Sequence, residues 1–273
     1  MLKNKTKSSI GVFDSGLGGL TVLKHLLEKL PPYDYLYLGD TARVPYGGHS
    51  QEVIYRYTKE AMDFLFSQGC RLVILACNTA SSQALRRLQQ EYLPEKYPDR
   101  RILGVIIPLA EYASKSNNIG VIGTRATIAS KAYEHEIKKL NPQASVVSHS
   151  APLLVPLIEE GLAGSDVTNK LLKKYLRPLK IKKIKTLILG CTHYSFLLKD
   201  IRRIMGNNCR VPDPGEIVAD SLKNYLVKHN NLVSAHKKPG SRHFYLSDKP
   251  ENFIKLGERF LGQKIDNWKI ISL

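Results

Sequence analysis

Along the chain, apolar runs of strand length alternate with stretches in which apolar residues recur every three or four positions. The runs Ile10 to Phe13, Tyr35 to Leu38, Leu72 to Ala76, Ile102 to Ile106, Ile119 to Ile122 and Thr186 to Leu189 carry no charge. Continuous apolar runs suit strands buried on both faces, which is the situation in parallel sheets covered by helices. The rhythm of run, small or polar residues and then helical pattern predicts an α/β fold with mostly parallel sheets. Gly16, Gly18 and Gly19 follow the first run, and Asp40, Pro45, Tyr46, Gly47 and Gly48 follow the second. Open α/β sheets place ligands at such strand ends.

The pattern repeats within the chain. IGVFDSG from Ile10 is echoed by IGVIGTR from Ile119, and RLVILACNTA from Arg71 by KTLILGCTHY from Lys185. The separations from Ile10 to Cys77 and from Ile119 to Cys191 agree to within a few residues. Two units of one plan, each ending a buried strand in cysteine, are expected to meet about a pseudo-twofold axis with their strand ends facing a shared cleft. The stretch from Pro212 onward fits neither copy, with a helical pattern over Ile217 to Val227 and a short strand signal at His243 to Leu246. It is expected to return to the first unit. The expected domains are therefore residues 1–98 plus 212–273, carrying Cys77, and residues 99–211, carrying Cys191.

A length of 273 residues permits one large or two ordinary domains with real cores. The four cysteines, Cys70, Cys77, Cys191 and Cys209, form no CxxC pair and read as reduced thiols. Met1 to Ser9 is polar, with no apolar h-region behind it, and no run reaches membrane length. A soluble, cytoplasmic protein without a membrane partner is expected. The formal charge of +17 invites a nucleic-acid reading. Its densest cluster, Lys170 to Lys185, interleaves lysines with Leu171, Leu172, Tyr175, Leu176, Leu179, Ile181 and Ile184, as a surface helix with a buried stripe does. A solvated basic face is the expectation, with no dedicated nucleic-acid partner.

Cys77 and Cys191 each sit where a buried strand gives way to a loop or helix N-terminus, a setting that favours thiolate and lowers a cysteine pKa from about 8.5. A lone cysteine after a strand is usually a small hydrophobe; two in matched positions argue for chemistry. Two thiols on opposite faces of a substrate serve as base and acid in turn, exchanging roles with each turnover. Asp14 and His193 are candidates to tune them, although an Asp before glycines is also a common turn or cap residue. Ser15, Asn78, Thr79, Thr124, Thr127 and Thr192 supply hydroxyls and an amide around the same strand ends; singly each suits a cap, and their convergence carries the argument. Cys70, at a helix-to-strand junction, and Cys209, in a polar loop, read as bystanders. GLGGLT lacks the third glycine of GxGxxG, and no GxxxxGK[ST] element occurs. No lysine sits in a comparable strand-end setting to hold pyridoxal phosphate.

These residues resemble the glutamate racemase family over nearly the whole chain from Ile10. The elements that carry the resemblance are DSGLGG at Asp14, DTARVPYG at Asp40, ACNTA at Ala76, VIGT ending at Thr124, VPLIEEG at Val155, GCTHY at Gly190 and DPGE at Asp213. The resemblance implies a cofactor- and metal-free isomerase that interconverts L- and D-glutamate, with Cys77 and Cys191 as the acid/base pair, supplying D-glutamate for peptidoglycan. It implies substrate contacts from Asp14, Ser15, Tyr46, Gly47, Asn78, Thr79, Thr192 and His193. An auxiliary glutamate falls on Glu159, with Glu160 beside it leaving the register open. Val44, where many relatives carry an aromatic, is a departure expected to alter packing only. Aspartate racemases and related isomerases share the two-cysteine plan and stand as the alternative, with a basic nucleic-acid-binding protein more remote. A homodimer is compatible with this reading; the sequence does not set the oligomeric state.

Overall fold

The computed structural model describes residues 9–248 and 253–273. The first apolar run forms strand β1 (Ile10–Asp14), fully buried, and leads into helix α1 (Leu20–Lys29). Strand β2 (Tyr35–Gly39), helix α2 (Gln51–Ser67) and strand β3 (Leu72–Leu75) follow. A broken helical stretch, α3 (Asn78–Gln83), α4 (Leu85–Arg87), a π-helical turn at Leu88–Tyr92 and α5 (Leu93–Lys96), precedes β4 (Arg101–Gly104). Helix α6 (Ile106–Ala113) connects to β5 (Asn118–Gly123), α7 (Arg125–Ala129), α8 (Ala132–Leu140) and β6 (Ser145–Ser150). After α9 (Leu154–Glu159) and α10 (Asp166–Ile181) comes β7 (Thr186–Gly190), then a 3-10 stretch at Thr192–Leu197 and α11 (Leu198–Met205). The chain closes with α12 (Pro214–Lys228), β8 (Arg242–Leu246), α13 (Phe253–Leu261) and β9 (Trp268–Ile270).

The strands form two sheets, a six-stranded one in the order β4-β3-β1-β2-β8-β9 and a three-stranded one in the order β6-β5-β7, and every ladder between them is parallel. The internal echo of the sequence has a structural counterpart. The central trio β3-β1-β2 matches β7-β5-β6 in chain order, in position and in parallel pairing. Cys77 follows β3 and Cys191 follows β7, the strands that flank the two glycine-bearing central strands on equivalent sides.

Strand β4, placed in the second unit by a division after residue 98, hydrogen-bonds to β3 and so belongs to the first sheet. It also stops at Gly104: the apolar run through Ile106 continues as α6, because an unbroken apolar stretch does not distinguish strand from buried helix. Beyond residue 212, α12 packs on α1, while β8 and β9 extend the first sheet past β2.

Each sheet is covered on both faces. Ile54, Met62 and Leu65 of α2 pack with Phe13, Leu38 and Val73 on one face of the first sheet. Leu172 and Leu176 of α10 and Ile201 of α11 pack with Ile122, Leu187 and Leu189 on one face of the second. A third apolar cluster runs continuously between the units, from Val12, Leu23 and Val218 to Leu109, Val121 and Ile137. No described helix is long and apolar enough to cross a membrane.

Candidate active site

The end of β3 delivers Cys77 into the N-cap position of α3, where its sulfur accepts the Ala80 N–H at 3.5 Å and lies 3.6 Å from Ser15 Oγ. The helix start does not dominate its ionisation. Burial pushes the Cys77 thiol up to about 12, and the nearby Asp14 charge adds to that, against the smaller opposing effects of Ala80 N–H and Ser15. The expectation of a lowered pKa at this strand end is thus corrected for Cys77: at a buried sulfur, desolvation of the anion outweighs a single N–H and the dipole of a six-residue helix. The bystanders Cys70 and Cys209 are also pushed up by burial, to about 12 and about 11. Cys209, expected in a polar loop, is buried against the core of the second unit.

Cys191 caps the 3-10 stretch after β7 without accepting a backbone N–H. Its sulfur lies 4.0 Å from His193 Nδ1, and His193 Nε2 meets Glu159 Oε1 at 3.0 Å. Burial works against a charged imidazole here, but the Cys191 sulfur and the Glu159 carboxylate more than offset it and hold His193 at about 10. A protonated imidazole thus stands between the Cys191 sulfur and the Glu159 carboxylate. At the end of α9, Glu159 reaches His193, whereas among the described residues no hydrogen bond or ion pair joins Glu160 to it.

The two sulfurs line one cavity. Its wall consists of Ser15, Val44, Pro45, Tyr46, Gly47, Cys77, Asn78, Thr79, Thr124, Val155, Cys191, Thr192 and His193. Of the residues proposed from the sequence to converge on this site, Asp14, Thr127 and Glu159 stand behind this wall. Asp14, fully buried, accepts the Gly16 N–H at 2.9 Å and the Thr192 hydroxyl at 3.3 Å. Burial raises its pKa against the pull of His193 and of the backbone N–H groups of Gly16 and Gly19. The cavity holds about 20 Å³, room for about one water. An amino acid enters only if the walls separate.

Those walls come from both units, which touch through short polar contacts. Thr79 Oγ1 meets Thr124 Oγ1 at 3.0 Å and Thr127 Oγ1 at 3.3 Å, and Gln83 Nε2 donates to Ala126 O at 2.7 Å. Tyr133 on α8 donates to Asn78 Oδ1 at 2.5 Å. Glycine sets how near the units come. A Cβ on Gly18 would overlap Thr192 Oγ1 and lie 2.6 Å from His193 Nδ1, and one on Gly47 would lie 2.7 Å from Thr124 Cβ. Gly18, in the glycine-rich loop after β1, is thus a point of close approach between units.

The Asp40 loop is held from behind. Asp40 is buried and accepts from the Tyr46 hydroxyl, from Arg43 Nε at 2.7 Å and from Ser247 Oγ at 2.7 Å. Ser247, at the end of β8, also accepts the Ala42 N–H at 2.9 Å. The returning C-terminal segment therefore fixes the loop that presents Tyr46 and Gly47. Asp213 of DPGE lies apart from the cavity, capping α12 through Gly215 N at 2.9 Å. Sequence reasoning missed Tyr133, because its buried position one turn before Ile137 is that of an ordinary core residue. A groove of about 1070 Å³ between α6 and α12 is far larger than the cysteine cavity, but no thiol lines it. Among the described residues, no group of three or more His, Cys, Asp or Glu is arranged to hold a metal ion.

The pattern of the Asp/Glu/Hydantoin racemase family matches residues 10–222, more than three quarters of the chain. The chain belongs to that family. Within it, a glutamate racemase from Geobacter metallireducens is 42% identical over 269 residues, covering 97% of each chain. The crystal structure of a Francisella tularensis glutamate racemase in complex with D-glutamate superposes with a TM-score of 0.89 at 36% identity, covering 98% of each chain. An aspartate racemase from Picrophilus torridus, with a TM-score of 0.53 at 17% identity over 83% of this chain and 98% of its own, shares the fold alone.

Proposed function

We propose that this chain interconverts L- and D-glutamate without a cofactor, Cys77 and Cys191 passing protons to and from opposite faces of Cα. The observation that carries this is one closed cavity lined by two sulfurs, each at the end of an equivalent strand in two matching sheets. In one direction a Cys191 thiolate takes the α-proton: its S–H bond forms as the Cα–H bond breaks, and the electron pair moves into the carboxylate. The Cys77 thiol then gives its proton to the other face. The enzyme is left with Cys191 as thiol and Cys77 as thiolate, ready for the reverse. His193 and Glu159 serve the Cys191 side, since the imidazolium faces that sulfur and the carboxylate holds the imidazolium. Ser15 and the Ala80 N–H serve the Cys77 side. A closed, water-poor cavity strengthens each of these interactions and protects the carbanion from stray protons.

Glutamate, rather than aspartate, is supported by the similarity to glutamate racemases along nearly the full chain, and the same similarity supports a cytoplasmic role in supplying D-glutamate for peptidoglycan. The test is incubation of purified protein with each enantiomer of glutamate and of aspartate, without cofactor, followed by optical rotation. Either glutamate enantiomer should decay to zero rotation, and in deuterated water the product should carry deuterium at Cα. Activity lost to EDTA or carbonyl reagents and restored by a metal or pyridoxal phosphate, or activity on aspartate alone, overturns the proposal.

A further inference from the structure

Asn78 follows Cys77 directly, lines the cavity and is almost wholly buried. Its carboxamide has two ends, an acceptor and a pair of donors, and which end faces the cavity decides what it can bind. Tyr133 settles this by a count of donors. The Tyr133 side chain is buried, and Asn78 is its one hydrogen-bond partner among the described residues. Burial opposes loss of the phenolic proton, so the hydroxyl remains a donor. A buried O–H without an acceptor is costly, and turning the amide over would leave it with none. Asn78 Oδ1 is therefore held on Tyr133, and the Nδ2 donors are left for the cavity. The ring cannot easily retreat, because it packs against Gly190, where an added Cβ would lie 3.1 Å from Tyr133 Cε2.

The two partners belong to different units: Tyr133 stands on α8 between β5 and β6, while Asn78 opens α3 after β3. We propose that Tyr133 is a positioning residue that, on closure of the cleft, fixes the Asn78 amide with its N–H pair directed at a substrate carboxylate. This rests on the racemase function proposed above. Tyr133 touches no reacting atom; it converts closure into a donor pair already aimed, so that the amide need not be oriented by the substrate itself.

The test is Tyr133→Phe in the full chain, which keeps the ring and removes the hydroxyl. KM for both glutamate enantiomers should rise about tenfold, with kcat changing less. In an Asn78→Ala background the same substitution should change neither parameter by more than about twofold, since nothing is left to position. Equal losses in both backgrounds, or parent-like kinetics for Tyr133→Phe, overturn the inference. Asn78→Asp tests the orientation with Tyr133 intact, whether or not Tyr133→Phe folds. It keeps the acceptor but sets a negative charge where the donors stood, so its KM should exceed that of Asn78→Ala, and a KM like the parent's refutes the proposed orientation. The ligand-free protein separates this inference from the functional one. The side-chain 15N amide signal of Asn78 should move in Tyr133→Phe, and an unmoved signal counts against the bond. A parent that leaves glutamate unchanged defeats the proposed function while that signal still reports on Tyr133.

Discussion

At the scale of single residues, the two sulfurs are equivalent in the fold and unequal in surroundings. Cys77 faces Asp14, a serine and one backbone N–H, and burial keeps it a thiol; Cys191 faces a histidine held at about 10. Cys77→Ser and Cys191→Ser should each lower racemisation by a factor of roughly 100 to 10,000, because a serine hydroxyl is too weak a base, while Cys70→Ser and Cys209→Ser should leave it nearly unchanged. The imbalance also predicts direction. If Cys191 is the base toward L-glutamate, His193→Asn should lower kcat more from L to D than from D to L. Glu159→Gln should do the same more weakly, and Glu160→Gln should do nothing. Both enantiomers have equal free energy in water, so kcat/KM stays equal in the two directions and the asymmetry must appear in kcat and KM separately. Equal kcat loss in both directions for His193→Asn would reduce it to a packing residue. Stability follows the same proton. His193 is raised from 6.5 to about 10 by folding. Its contribution is therefore complete below pH 6.5, declines as pH rises and is gone above about 10. Urea midpoints measured across that window should fall less steeply for His193→Asn than for the parent.

At the scale of elements, the chain's pattern was informative where burial is two-sided and silent where it is not. The runs that became β1, β2, β3, β5 and β7 are buried along most or all of their length, so their apolar continuity was visible. Edge strand β6, SVVSHS, has no fully buried residue, and β9 spans only three residues; neither has a periodic signal to find. Helix α10 has the expected form, with Leu172, Leu176 and Leu179 buried beneath a face of lysines, though Ile181 is exposed. The candidate site was legible from paired motifs at strand ends, and the pairing of Glu159 rather than Glu160 was not, since that choice depends on where the last turn of α9 points. Tyr133 was invisible because a buried tyrosine that packs and one that also aims an amide look alike in sequence. Caps supply an independent check on the element assignment. Ser165 accepts the Thr168 N–H at the start of α10, remote from the cavity. Ser165→Ala should cost about 1 kcal/mol in denaturant unfolding and leave kcat and KM unchanged; a loss of activity without loss of stability would contradict that separation.

At the scale of the whole molecule, chemistry depends on how near two similar units approach, and that distance is written in residues without side chains. The cavity of about 20 Å³ admits about one water, so binding glutamate requires an open form and proton transfer a closed one. Gly18 belongs to the loop after β1, and the groups that a Cβ there would meet, Thr192 and His193, follow β7 of the other sheet. Both sit beside Cys191 and are tied to Asp14 or Glu159, so they have little room to give way. An added methyl is therefore most easily relieved by separating the units, which leaves each core as it was. Gly18→Ala should accordingly fold with nearly parental thermal stability, lose at least tenfold in kcat/KM, and expose both active thiols. Iodoacetamide should label Cys77 and Cys191 faster in this variant than in the parent at the same pH, with Cys70 unchanged because its burial lies within the first unit. Gly47→Ala, which meets Thr124 across the same boundary, should behave alike and more mildly. A Gly18→Ala protein that loses stability while its thiols stay protected would place the strain inside one unit and refute control of closure by this glycine.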